Sequence, residues 1–85
     1  MLMDHQQGTR TMKERLIAIV ARALRVPTSA LTLETGPGDL EAWDSLAQIN
    51  VVSEIEAEFS VSIPIEQMAE IRHIRDFLSY LEKTP

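Results

Sequence analysis

Ser45 is the residue whose type and setting point most directly to chemistry, in the stretch EAWDSLAQIN from Glu41 to Asn50. An acidic, aromatic loop ends at Asp44-Ser45-Leu46, where an amphipathic helix is expected to begin. A serine there can be purely structural. Asp44 is a favoured N-cap, and its carboxylate suits the positive end of the helix dipole. Ser45 could cap instead, with Gln48 completing an S-x-x-Q box. Three neighbouring features favour a chemical role. The serine follows a long loop and is expected to be exposed; Leu46 falls on the outward side of the helix; and the most acidic part of the chain starts here. An exposed hydroxyl beside an apolar contact and a charged surface is what another enzyme needs in order to modify it.

Self-sufficient catalysis has little to work with. His5 and His73 are the two histidines, and nothing around Ser45 resembles a G-x-S-x-G elbow. Two distant histidines and scattered carboxylates lack the spacing of a metal site. Gly8, Gly36 and Gly38 cannot assemble a phosphate-cradling loop. Cysteine is absent, which removes disulfides and any thiolate of the chain's own and fits a reducing cytoplasm. A minimal hydrolase built on Ser45 would need His73 to reach it.

Charge is more informative in its distribution than in its net value of −5. Between Asp39 and Ile71 lie eight acids (Asp39, Glu41, Asp44, Glu54, Glu56, Glu58, Glu66 and Glu70) and no Lys, Arg or His. The remainder holds five acids against eight Lys and Arg, a balance of +3. Such a face repels nucleic acid and attracts basic protein surfaces. No apolar run approaches the length of a membrane span.

The elements that must position Ser45 follow from periodicity. Residues 1–10 are mostly polar and aperiodic, expected as a flexible leader ahead of a helical domain over residues 11–85. Met12, Leu16, Ile19, Val20, Ala23 and Leu24 recur at helical spacing, and Pro27 sets the end of that helix near Val26. Residues 26–43 form a long connection, with room for a helical turn in PTSALTL and with Leu31, Leu33, Leu40 and Trp43 pinning it to the core. The second helix runs from Asp44 or Ser45 to about Phe59. Ile49, Val51, Val52, Ile55 and Phe59 are expected to face inward, with Asn50, Ser53 and Ala57 opposite. Pro64 fits the first turn of a short third helix. A last helix carries Ile74, Phe77, Leu78 and Leu81 on one face and ends near Lys83. The expected fold is all-α, a small four-helix bundle of three longer helices and one short one, with a long loop between the first two.

WDSLAQINVVSEIEAEF, followed by SVSIP and IRDFLSYLEK, closely resembles the acyl carrier proteins of fatty-acid and polyketide synthesis. The likeness covers roughly Met12 to Lys83. It implies that Ser45 carries 4′-phosphopantetheine, transferred from coenzyme A by a holo-carrier-protein synthase (a phosphopantetheinyl transferase), and that the arm's thiol holds acyl groups as thioesters. It implies a carrier rather than an enzyme: cytoplasmic, freestanding and monomeric, serving an acyl-loading enzyme and a ketosynthase or acyltransferase. Asp44, Leu46, Glu54, Glu56 and Glu58 are the expected partner-binding residues, meeting Lys and Arg on those enzymes. Reversing Glu56 and Glu58 is expected to leave the fold largely intact. Trp43, Asn50, Ser53 and His73 depart from the commonest fatty-acid pattern, so a polyketide, lipid-modifying or aminoacyl (peptidyl or D-alanyl) carrier stays open beside it. Ile49, Val52, Ile55, Phe59, Ile71 and Phe77 line an interior that could also admit an alkyl chain. From another class, the alternative is a non-catalytic interaction domain in which Ser45 merely caps a helix.

Overall fold

A computed structural model of the chain describes residues 11–81. The expected leader, with His5, and the expected helix end near Lys83 lie outside the described residues. Helix α1 (Met12–Leu24) starts on a reciprocal cap. The Glu14 amide donates to the Thr11 hydroxyl at 3.1 Å, and the Thr11 amide donates to the Glu14 carboxylate at 3.0 Å. It ends two residues short of Val26, because Arg25 turns left-handed (φ 62°) and the Val26 amide donates back to the Ala21 carbonyl at 3.0 Å. That closure satisfies terminal carbonyls before Pro27 arrives.

Helix α2 (Ser45–Phe59) packs along α1, burying Val51, Val52 and Ile55 against Leu16, Ile19 and Val20. It closes on left-handed Ser60 (φ 56°), with the Val61 amide donating to the Glu56 carbonyl. Pro64 then stands just ahead of helix α3 (Ile65–Met68), a single turn. The chain finishes with a 3₁₀ turn over Ile74–Phe77 that runs into helix α4 (Leu78–Leu81). The bundle is all-α, as expected, with no strand among the described residues.

Two expectations need correction. Ile49 is 53% exposed, and the buried position beside Val51, Val52 and Ile55 is taken by Gln48. Gln48 is one turn before Val51 and Val52, so it lies on their face, while Ile49 lies on the next flank with Leu46. The last helix is also not α-helical from its start. The Asp76 carboxylate accepts the Arg72 and His73 amides at 2.9 and 3.0 Å. The amides of Ile74 and Arg75 donate to the carbonyls of Thr35 and Leu33, at 2.8 and 3.0 Å. This tethering favours the tighter turn seen at many helix starts.

The same two backbone bonds hold the long loop. Its 3₁₀ turn (Thr28–Ala30) falls within PTSALTL. Leu31 and Trp43 are buried and Leu33 and Leu40 half-buried, so the loop is pinned where its apolar residues predicted. Gly36 presses on the backbone just ahead of the Ile74–Phe77 turn, and a Cβ there would collide with the Arg72 carbonyl. Gly38, at φ 92°, lets its amide reach the Trp43 carbonyl at 3.0 Å and closes the loop immediately before Ser45.

Candidate functional site

The start of α2 separates the structural role from the chemical one. Asp44 is the cap: its carboxylate accepts the Ala47 amide at 2.8 Å, and its backbone is extended. Ser45 is the first helical residue and is exposed. The alternative box of Ser45 with Gln48 is therefore not formed. A hydroxyl beside the N-terminal end of a 15-residue helix is well placed to carry a phosphate, which the unpaired amides and the dipole both favour.

Gln48 is drawn inward by Trp43. The Trp43 side chain is completely buried, and its indole N–H donates to Gln48 Oε1 at 2.7 Å. A buried tryptophan needs an acceptor for that N–H, and Gln48 supplies it. Together they fix the approach to Ser45 from both sides, two residues before it and three after. Sequence reasoning placed Trp43 at the core but missed its partner. The available signal was a lone polar residue on the Val51, Val52 and Ile55 face, one turn from an indole.

Beside this pair opens a cleft of about 600 Å³. Pro37, Gly38, Trp43, Asp44, Ser45 and Gln48 form one side, and Ile65, Met68, Ala69 and Ile71 the other. Of the residues lining it, Ile65 is 81% exposed, and on α2 itself Leu46 and Ile49 are exposed at 72% and 53%. Leu46 was expected to face outward. Ile65 was not singled out, because a single-turn helix is too short to define a face from its sequence.

The three glutamates of α2 do not behave as one patch. Glu54 pairs with Arg22 of α1 at 3.1 Å and Glu58 with Arg15 at 3.5 Å. The Arg15 guanidinium also lies 4.7 Å from the centre of the Phe59 ring. Glu56 is half-buried, and its carboxylate accepts the Ile63 amide at 2.7 Å. Charge reversal at Glu56 would therefore break a structural bond, contrary to the expectation that it leaves the fold intact. No group of three or more potential metal ligands occurs among the described residues, and no helix there is long and apolar enough to cross a membrane.

A family model described as "Phosphopantetheine attachment site" matches residues 14–81. An acyl carrier protein of Porphyromonas gingivalis is 36% identical over 72 residues, covering 85% of this chain and 92% of its own length. One of Phaeodactylum tricornutum is 36% identical over 69 residues, covering 81% and 91%. One of Syntrophobacter fumaroxidans is 33% identical over 72 residues, covering 85% and 89%. The solution NMR structure of a holo acyl carrier protein from Geobacter metallireducens superposes with a TM-score of 0.71 at 23% identity, over 81% of this chain and 79% of that one. That likeness is one of fold.

Proposed function

The chain belongs to the acyl carrier protein family, and from that premise we propose that Ser45 is the attachment point of its 4′-phosphopantetheine and that it presents acyl groups to successive enzymes. The observation that carries this reading is the division of labour at the start of α2. Asp44 does the capping, which leaves the neighbouring hydroxyl unspent at the surface. When bound, the prosthetic group supplies the thiol that this cysteine-free chain lacks, and with it the thioester that holds the acyl group. The chain's own residues do the rest. Trp43, Gln48 and the Gly38 turn hold the Ser45 segment in one place, and the helix terminus favours a phosphate on the serine oxygen.

The modifying and loading enzymes, and a ketosynthase or acyltransferase after them, would approach over Asp44 and Leu46. The exposure of Leu46 supports an apolar contact there. Glu54 and Glu58 remain part of the docking surface in this reading, although an incoming Lys or Arg has to compete with Arg22 and Arg15. The relatives are described as acyl carriers, which favours a fatty-acid or polyketide role over an aminoacyl one.

Intact mass spectrometry after incubation with coenzyme A and a broad-specificity phosphopantetheinyl transferase tests the assignment. The chain should gain about 340 Da, the mass of one arm, and Ser45→Ala should gain nothing while keeping its helical circular dichroism. An unmodified chain, or a modified Ser45→Ala variant, would overturn it.

A further inference from the structure

We propose that Gln48 is a docking residue for the arm, its side-chain NH₂ donating to a carbonyl oxygen of the group attached at Ser45 and so parking that group in the neighbouring cleft. The inference rests on the reading of Ser45 given above. An indole has one N–H and no acceptor, so Gln48 must turn its oxygen to Trp43 and its nitrogen away. That nitrogen has no hydrogen-bond partner among the described residues, although Gln48 is 9% exposed. No fully buried side-chain nitrogen or oxygen lacks a partner there, so the NH₂ must retain access to solvent, and the cleft is what Gln48 lines. A nearly buried donor facing an apolar cleft is a poor neighbour for a plain alkyl chain, because covering it without an acceptor costs its full desolvation. It suits the amide carbonyls of a pantetheine arm or the carbonyl of a short oxygenated acyl group. Ile65, Met68 and Ile71 provide the apolar wall against which such a chain can lie.

Gln48→Glu isolates the donor. A carboxylate can still accept the Trp43 N–H but has no NH₂ to offer. The experiment follows the side-chain amide and indole signals in ¹⁵N-labelled protein, and the alkylation rate of the arm's thiol by iodoacetamide, with modification verified by intact mass. Conversion of apo to holo protein should shift the Gln48 NH₂ signals, with the Trp43 indole signal as the internal report on the pair. In holo Gln48→Glu the indole signal should persist, and the thiol should react about fivefold faster, as expected for losing one hydrogen bond. If the shift appears with the free thiol, the acceptor belongs to the arm. If it appears first on loading with a short 3-oxoacyl group, the acceptor belongs to the cargo. Either outcome supports docking by Gln48. Unmoved Gln48 signals in protein shown to be modified, free and acylated alike, would overturn it and leave the Ser45 assignment standing. Where the shift does appear with the free thiol, a wild-type thiol rate in holo Gln48→Glu would overturn it as well, since a merely structural role is rescued by that substitution. Absence of any mass gain would sink the Ser45 assignment first, and this inference with it.

Discussion

The two ends of α2 use their polar groups in opposite ways. At the C-terminal end almost every charge has a job within the fold: Glu54 meets Arg22, Glu58 meets Arg15, and Glu56 holds the Ile63 amide. At the N-terminal end one carboxylate caps, one indole is satisfied, and the remaining groups are left at the surface or the cleft: the Ser45 hydroxyl, the Gln48 NH₂, and the apolar faces of Leu46 and Ile49, with Ile65 of α3 lining the same cleft. Groups satisfied inside the fold stabilise it; groups left over are available to a ligand or another protein. The function proposed above falls where satisfaction is incomplete, rather than where charge is densest.

That contrast can be broken most forcefully at Trp43. Trp43→Ala should destabilise the chain by about 3–5 kcal/mol, the usual cost of removing a large buried aromatic, read as a lowered denaturant midpoint. A loss below ~1 kcal/mol would mean that the indole does not anchor the working end. Next comes Glu56→Gln, which weakens a charge-assisted bond to a backbone amide. Urea unfolding should show a loss of about 1–2 kcal/mol, and an unchanged midpoint would return Glu56 to the status of a free surface acid. Arg22→Ala, at the exposed pair with Glu54, should shift stability by no more than about 0.5 kcal/mol. Its informative readout is transferase KM: faster loading at low salt, with no change in fold, would show that the α1 arginines mask the acids from partners.

The smallest expected effect lies at Asp76. The Arg72 amide, chiefly, holds its carboxyl below the ordinary carboxylate range; partial burial opposes this, and the His73 amide and the charges of His73 and Arg75 add to the lowering. A lowered folded-state value means stability that is present above about pH 4, the value expected in the unfolded chain, and lost as pH falls through the folded-state value. Melting wild type and Asp76→Asn should therefore give a gap at pH 7 that narrows towards pH 2. A constant gap would assign the effect to geometry and not to charge.

Much of this was legible in the sequence, and the failures share a cause. Periodicity delimited α2 correctly, and the apolar residues of the long loop showed where it is pinned. Local chemistry offered Asp44 as a cap with Ser45 as the alternative, and the structure forms the first. The face of α2 was misjudged because Ile49 is more apolar than Gln48, while burial was decided by a partner outside the helix: the Trp43 indole, which needs an acceptor. Glu56 was taken for a surface acid because its ligand, the Ile63 amide, is a backbone group beyond the helix end and carries no side-chain signature. The 3₁₀ start of the last segment was hidden for the same reason: its Ile74 and Arg75 amides are claimed by loop carbonyls far away in sequence.

Those two amides have a consequence for how the protein comes apart. They join residues 33–35 to residues 74–75, so the segment leading to Ser45 is latched by the far end of the chain. Opening of the last segment takes Leu81 and Phe77 out of the core and frees this latch with them. The loop that leads to Ser45 depends in this way on packing more than thirty residues away in sequence.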